Sequence, residues 1–134
     1  MGEKARNPFR IAQPDGAVAS VESEQIMDDP SLPPAERVVK LVDSSDLFVF
    51  MKGNPHQPMC GFSANTVAML ESLGVAYGTF DILSDESVRS AAKVHAQWPT
   101  FPQVYLNGEL IGGNDIVSEL FVSGELAQLV EGLR

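Results

Sequence analysis

The chain has 134 residues, which suits one compact domain with some additional sequence. Its 18 acidic and 9 basic residues give a formal net charge of −9, which argues against nucleic-acid binding because phosphate contacts need a basic surface. The single cysteine, Cys60, excludes an intramolecular disulfide and a cysteine-rich zinc site, and no apolar run approaches the roughly 20 residues that a membrane span needs.

Residues 1–31 are predicted to form a flexible extension because they are polar, contain three prolines and show no sustained hydrophobic periodicity. Two arginines and a run of small residues also fit a transit peptide, but several acidic residues weaken that interpretation, and the layout of a secretory signal is missing. We therefore expect a cytoplasmic protein in a reducing compartment, with the mitochondrial matrix or another organelle as the alternative. The folded domain is predicted to span residues 32–134.

The first half of the domain is predicted to contain a helix, a strand and a second helix. A pair of prolines near residue 33 suits the first turn of a helix with an apolar face. Residues 47–51 are a continuous apolar run of strand-forming residues and predict a buried central strand. Residues 53–59 hold two prolines and a Gly-Asn pair and predict a loop. A helix is expected over residues 60–73, with Gly74 as its C-cap.

The second half is predicted to begin with a strand over residues 75–82 and a helix over residues 85–96, with Ser84 as its N-cap. An irregular segment over residues 98–102 follows, and the domain ends in a helical region over residues 115–133 with a break near Gly124. Before that last region, an Asn-Gly pair at 107–108 separates two apolar runs, which is the strongest short-range signal for a hairpin. Two early strands joined by a helix should be parallel, and the last two antiparallel. The order predicts an α/β fold with a four-stranded mixed sheet flanked by helices.

Cys60 is the candidate reactive residue because it lies at a predicted helix start, directly after a strand and a loop. Helix N-termini favour negative charge, so a thiol placed there has a lowered pKa. Lys52, at the end of the preceding strand, adds a positive charge nearby. The alternative is that a lone cysteine is a small buried hydrophobe, but its position after a proline-containing loop favours a functional role.

Three ordered segments carry longer motifs: Lys-Gly-Asn-Pro-His-Gln-Pro-Met-Cys-Gly-Phe-Ser at 52–63, Trp-Pro-Thr-Phe-Pro-Gln at 98–103, and Asn-Gly-Glu-Leu-Ile-Gly-Gly-Asn-Asp at 107–115. Together these segments closely resemble the monothiol, CGFS-type glutaredoxins. The resemblance covers about residues 35–133, with the spacing between the segments intact. It implies a thioredoxin-like fold and glutathione, an anionic thiol tripeptide, as the ligand.

The resemblance implies nine glutathione-binding residues in three groups: Lys52, Arg89 and Lys93; Thr100, Phe101 and Pro102; and Gly113, Asn114 and Asp115. The cations would bind the glycine-end carboxylate, and Arg89 and Lys93 share a helix face because they are four residues apart. Pro102 would be a cis-proline that leaves the backbone of Phe101 to pair with the ligand. The third group would bind the γ-glutamyl end at a helix N-terminus.

Each group also has an alternative explanation without a ligand. Arg89 and Lys93 can be solvated surface charges, residues 100–102 an ordinary tight turn, and Asp115 a simple N-cap. His56 is expected to be a solvated loop residue, and Trp98 an aromatic residue at the edge of the core.

The resemblance further implies that the Cys60 thiolates of two chains and the thiols of two glutathione molecules hold a [2Fe–2S] cluster with four sulfur ligands. Cys60 is then a metal ligand, and the protein is a carrier that delivers clusters to apo iron–sulfur clients. One alternative is a glutathione-dependent oxidoreductase in which Cys60 is the catalytic nucleophile. Another is a regulatory adaptor that binds a BolA-like partner. Many members of the family have a second cysteine where this chain has Asn114, so here any redox cycle must use glutathione as the resolving thiol.

Overall fold

The computed structural model describes residues 28–133. Residues 1–27 of the predicted extension lie outside the described residues, as do the features that suggested a transit peptide. The last part of that predicted extension contacts the domain, because Asp28 accepts hydrogen bonds from the Arg37 guanidinium at 2.8 and 2.9 Å. The boundary at residue 32 stays a prediction. Among the described residues, no helix is both long enough and apolar enough to cross a bilayer.

Within the described range the chain alternates between helices and strands in this order: α1 Pro34–Asp43, β1 Leu47–Met51, β2 Gly53–Asn54, β3 Gln57–Pro58, α2 Gly61–Leu73, β4 Gly78–Asp81, α3 Glu86–Ala96, β5 Gln103–Leu106, β6 Glu109–Gly112, α4 Asn114–Ser123, α5 Glu125–Leu129, and a 3₁₀ turn Glu131–Leu133. Four strands form one sheet in the order β4-β1-β5-β6. Strand β1 is parallel to β4 and antiparallel to β5, which pairs with β6 as a hairpin. The predicted four-stranded mixed sheet is confirmed.

Strand β1 lies at the centre of the core because both of its faces are buried. Leu47, Val49 and Met51 pack in a cluster with side chains of α2, α4 and α5. Phe48 and Phe50 point to the other face and pack with side chains of α1 and α3. All five side chains are fully buried, and each such burial contributes roughly 1.5–3 kcal/mol to folding. The expected helices on both faces of the sheet are therefore confirmed.

The strand predicted over residues 75–82 is shorter in the structure. Strand β4 covers Gly78–Asp81, because its pairing with β1 begins where Gly78 meets Phe48 and ends where Asp81 meets Met51, the last residue of β1. The preceding Val75 and Tyr77 are buried in the core without pairing in the sheet. The prediction was wrong at the start of the strand because an apolar pattern records burial and not hydrogen bonding.

The N-cap of α3 was predicted one residue too early. Asp85 caps the helix, because its carboxylate accepts hydrogen bonds from the backbone N–H groups of Ser87 and Val88. The hydroxyl of Ser84 donates instead to the carbonyl of Asp81. The final helical region is also divided more than predicted, into α4, α5 and the 3₁₀ turn, with the expected break at Gly124.

The segment predicted as a loop over residues 53–59 contains a small antiparallel hairpin, β2–β3. The Asn54 side chain accepts hydrogen bonds from the backbone N–H groups of His56 and Gln57, which forms the turn. Gly53 has a φ of +88°, and a Cβ there would lie 2.4 Å from the carbonyl oxygen of Gln57, so only glycine fits. His56 is exposed, as predicted.

The sheet brings three distant segments to one edge. The antiparallel register places Phe50, near the end of β1, opposite Gln103 at the start of β5. The loop that follows β1 therefore lies beside the segment that precedes β5. Gly112, at the end of β6, pairs with Val104, so the start of α4 reaches the same edge.

Candidate functional site

A cavity of about 460 Å³ opens at this edge of the sheet. All ten residues that were predicted for the site line it: Lys52, Cys60, Arg89, Lys93, Thr100, Phe101, Pro102, Gly113, Asn114 and Asp115. They come from the loop after β1, the first turn of α2, one face of α3, the segment before β5 and the start of α4. The structure thus brings the predicted set together, while the binding role of each residue stays a prediction.

Cys60 is the N-cap residue of α2 and is partly exposed. The pKa of its thiol lies below the ordinary value, and the largest cause is the backbone N–H of Ser63. The N–H of Phe62, the charge of Lys52 and the Ser63 hydroxyl act in the same direction, against the effect of partial burial. These N–H groups belong to the first turn of α2, where the helix dipole also favours negative charge. The site therefore favours a thiolate.

The buried side chain of Ser63 connects the thiol to the preceding strand. Its hydroxyl oxygen accepts a hydrogen bond from the backbone N–H of Lys52 at 3.1 Å. The other end of the intervening loop is fixed by a second backbone bond, because the N–H of Met59 donates to the carbonyl of Lys52 at 2.8 Å. These bonds hold the loop and the first turn of α2 in one arrangement around Cys60.

Three cations line the cavity in a chain whose formal net charge is −9. Within residues 28–133, no carboxylate lies within 4.0 Å of Lys52 or Lys93, and Arg89 reaches Glu86 only at that limit. The Nε–H of Arg89 is buried and has no acceptor among the described residues. The positive charges are therefore available for an anionic ligand.

The segment before β5 contains a cis peptide bond between Phe101 and Pro102, as predicted. Phe101 is buried, and its ring packs in the core cluster on the α1 and α3 side of the sheet. Thr100 is exposed, and all three residues line the cavity.

The start of α4 forms another wall. Gly113 is its N-cap, and a Cβ there would lie 3.2 Å from Nε1 of Trp98 and 3.3 Å from the carbonyl oxygen of Pro102, so glycine allows this close packing. The N–H of Val117 donates to the Gly113 carbonyl, which leaves the N–H groups of residues 114–116 without helical acceptors. Such groups bind anions.

The Asn114 side chain is held by α2. Its Oδ1 accepts hydrogen bonds from Nδ2 of Asn65 at 2.9 Å and from Oγ1 of Thr66 at 3.0 Å. The Asn114 amide therefore joins α4 to α2 beside the cavity, and it supplies no thiol there.

Four further residues line the cavity that the sequence did not assign to the site: Phe62, Trp98, Pro99 and Ile116. The sequence predicts Trp98 at the edge of the core, and its half-buried side chain also forms part of the cavity wall. The signal for Trp98 and Pro99 was their place in the motif at 98–103. Phe62 is 61% exposed, and the sequence signal for it was its place two residues after the thiol in the motif at 52–63.

Comparisons with known proteins point in one direction. A family model described as Glutaredoxin matches residues 47–111. The chain is 46% identical over 95 residues to an uncharacterized monothiol glutaredoxin, ycf64-like, of Synechocystis, and the match covers 71% of this chain and 89% of the relative. It is 47% identical over 116 residues to monothiol glutaredoxin-S11 of rice, a match that covers 87% of this chain. The chain spans only 22% of the length of that rice relative.

A solved structure agrees with these relatives. The solution structure of reduced poplar apo GrxS14 superimposes with a TM-score of 0.63 at 44% identity, covering 70% of this chain and 86% of the other. The thioredoxin-like sheet predicted from the sequence is therefore the observed fold. Within the described residues, no three His, Cys, Asp or Glu side chains form a group that could hold a metal ion.

Proposed function

The chain belongs to the glutaredoxin family, in its monothiol branch, and on that premise we propose that it binds glutathione beside Cys60 and holds a [2Fe–2S] cluster shared by two copies of the chain. The observation that carries the proposal is the position of Cys60. A thiol with a lowered pKa lies on a cavity that also presents the N-terminus of α4 and three cations, two of which, Lys52 and Lys93, have no carboxylate partner among the described residues.

The cavity suits glutathione in size and in charge. Its volume of about 460 Å³ lies within the roughly 300–1,000 Å³ of small-molecule sites. Glutathione has two carboxylates, an ammonium and a thiol. One carboxylate would bind Lys52 after β1 and the cations of α3, and its oxygens would supply the acceptor that the buried Nε–H of Arg89 lacks among the described residues. The other would bind the free N–H groups of α4, with the Asp115 carboxylate accepting from the ammonium.

The ligand thiol would then lie near Cys60. Two Cys60 thiolates and two glutathione thiolates give the four sulfur ligands that a [2Fe–2S] cluster takes. Half of these ligands would be exchangeable small molecules, so the cluster is cargo that can be passed to an apo client. The role of the chain would be to lower the pKa of the Cys60 thiol and to orient glutathione beside it.

Anaerobic reconstitution with iron, sulfide and glutathione tests the proposal. The wild type should develop visible cluster absorbance and the mass of a dimer. Cys60→Ser, which keeps the size and polarity of the side chain, should give neither, and the wild type without glutathione should also stay a colourless monomer. A wild type that binds no cluster, or a Cys60→Ser variant that binds it equally well, would contradict the assignment.

A second candidate function is glutathione-dependent thiol exchange, which the lowered pKa and partial exposure of Cys60 favour. The thiolate would attack the glutathione sulfur of a mixed disulfide and release the client thiol. A second glutathione would then attack the Cys60 mixed disulfide, restoring the thiolate and leaving as oxidised glutathione. Fast deglutathionylation by metal-free protein would favour this function over cluster transfer.

Apolar side chains beside the thiol favour contact with another protein there. Met59 is 64% exposed and Phe62 is 61% exposed. A second copy would cover this surface in the cluster-bridged dimer, and a BolA-like partner would replace that copy in a regulatory complex. A pull-down of a second copy and of a BolA-like protein, each with cluster-loaded and with cluster-free protein, separates the two kinds of complex.

A further inference from the structure

We propose that Gln103 is a positioning residue for the glutathione site, because its buried amide holds the loop that forms one wall of the cavity. Gln103 is the first residue of β5, is fully buried and does not line the cavity. It therefore acts on a ligand only through other residues. The inference rests on the proposed function, since it concerns how the site is kept in shape for glutathione.

The Gln103 side chain makes three hydrogen bonds. Its Nε2 donates to the carbonyl oxygens of Trp98 at 3.1 Å and Thr100 at 3.4 Å. Its Oε1 accepts from the hydroxyl of Tyr105 at 3.1 Å. An amide is the one neutral side-chain group that combines two donor hydrogens with an acceptor oxygen, so all three bonds need this group.

The loop over residues 98–102 depends on that amide because its own backbone offers few donors. Pro99 and Pro102 have no N–H. The N–H of Trp98 donates backwards to Lys93, at the end of α3. Among the described residues, the side-chain hydrogen bonds that join this loop to β5 are the two from Gln103. Its amide thus connects the loop to the central sheet.

The other end of the arrangement is fixed as well. Tyr105 is 1% exposed, and burial raises the pKa of its hydroxyl to about 12, so this group stays protonated and donates at neutral pH. The Tyr105 ring packs edge-on against Phe50 in the core. A rigid core aromatic therefore sets the rotamer of Gln103, and Gln103 sets the loop.

The loop in turn sets the width of the site. Trp98 packs against Gly113 at the start of α4, where a Cβ would lie 3.2 Å from the indole nitrogen. Thr100 and Phe101 line the cavity from the same loop. A shift of the loop would move the ligand-pairing backbone relative to the α4 N-terminus, and misplacement on the scale of 1 Å is costly in a site that needs orientation.

Gln103→Met tests the proposal, because methionine keeps the length of the side chain and removes all three hydrogen bonds. We expect the dissociation constant of reduced glutathione to rise about tenfold, as the loss of one to two net hydrogen bonds predicts. Fluorescence of Trp98, the one tryptophan of the chain, follows the titration, with calorimetry as an independent measurement. The pKa of Cys60 should not change, because the groups that lower it are in the first turn of α2 and at Lys52, which follows β1. Amide hydrogen exchange of residues 100–101 should be faster.

Two further variants are measured beside Gln103→Met. Gln128→Met makes the same change at an exposed position of α5 and should bind as the wild type does. Tyr105→Phe keeps both Nε2 bonds and removes only the third, so it should weaken binding by a smaller factor. This variant also decides the matter if Gln103→Met does not fold.

The outcomes distinguish a failure of the positioning role of Gln103 from a failure of the proposed function. If the wild type binds glutathione and both Gln103→Met and Tyr105→Phe bind it equally well, the positioning role is refuted and the proposed function stands. If the Cys60 pKa moves together with the affinity, Gln103 supports the fold in general and the inference is again overturned. A wild type that binds no glutathione refutes the proposed function and this inference with it.

Discussion

Asp85 combines two stabilising roles that substitution can separate. One carboxylate oxygen caps α3 by accepting from the N–H groups of Ser87 and Val88 at 3.0 and 3.2 Å. The other accepts from Arg37 at 2.8 Å, and Arg37 is only 6% exposed. Asp85→Asn keeps a good capping side chain and removes the charge, whereas Asp85→Ala removes both. Because α3 carries Arg89, its cap also supports the cavity.

The magnitude follows from the pKa of Asp85, which is lowered from 3.8 to about 2. The Ser87 hydroxyl is the largest cause, followed among the stabilising contacts by Arg37. The shift corresponds to at most roughly 2.5 kcal/mol, and solvent at a side chain that is 29% exposed reduces it to about 1–2 kcal/mol. We expect Asp85→Asn to lower the free energy of unfolding by about 1 kcal/mol, and Asp85→Ala by about 1 kcal/mol more through the lost cap.

The pH dependence has a definite sign. The folded-state pKa of Asp85 lies below the unfolded value, so its stabilisation is fully present above about pH 5 and is lost as the pH falls from 4 towards 2. Urea unfolding should therefore show a large difference between wild type and Asp85→Asn at pH 7 and a smaller one at pH 3. Glu109→Gln, at an exposed position of the edge strand β6, is the control. An equal difference at both pH values would refute the reasoning.

Three further predictions concern the site. Gly53→Ala should lower the melting temperature by several degrees, because its Cβ would lie 2.4 Å from the Gln57 carbonyl oxygen, and a thermal scan measures this. Ser63→Ala should raise the pKa of Cys60, since the hydroxyl helps to lower it, and thiolate absorbance against pH reports the change. Arg89→Gln should weaken glutathione binding about tenfold and reduce its salt dependence, with calorimetry at two ionic strengths as the measurement.

The sequence predicted the sheet because its signals were local and unambiguous. The apolar run at 47–51 contains only side chains that a central strand buries, and the Asn-Gly pair at 107–108 adopts the positive φ angles that a tight hairpin needs, 52° and 85°. The small hairpin β2–β3 was not predicted, because two prolines and a Gly-Asn pair indicate a loop and strands of two residues leave no pattern. Their pairing depends on the Asn54 side chain, which no periodicity records.

The candidate site was predicted through a resemblance, and its supporting residues were not. Cys60 and the cations could be predicted because their residue types are reactive or charged and the resemblance assigns them to the site. Gln103 was part of a motif, but nothing in its type showed that it would be buried with three hydrogen bonds. Asp85 was missed as a cap because Ser84 is an equally suitable residue type beside it. Such roles depend on which backbone groups the fold leaves without partners, and that is a property of the tertiary structure.

Asn114 constrains what chemistry the site can perform. Its amide oxygen accepts hydrogen bonds from Asn65 and Thr66, which fix α4 to α2. Cys60 is the one sulfur nucleophile of the chain, and a mixed disulfide on it must be resolved by a thiol from outside. Under the proposed function, cluster holding and thiol exchange would both use glutathione in the same cavity. A variant such as Arg89→Gln should weaken both activities in parallel, and a variant that changed only one would show that they use different sites.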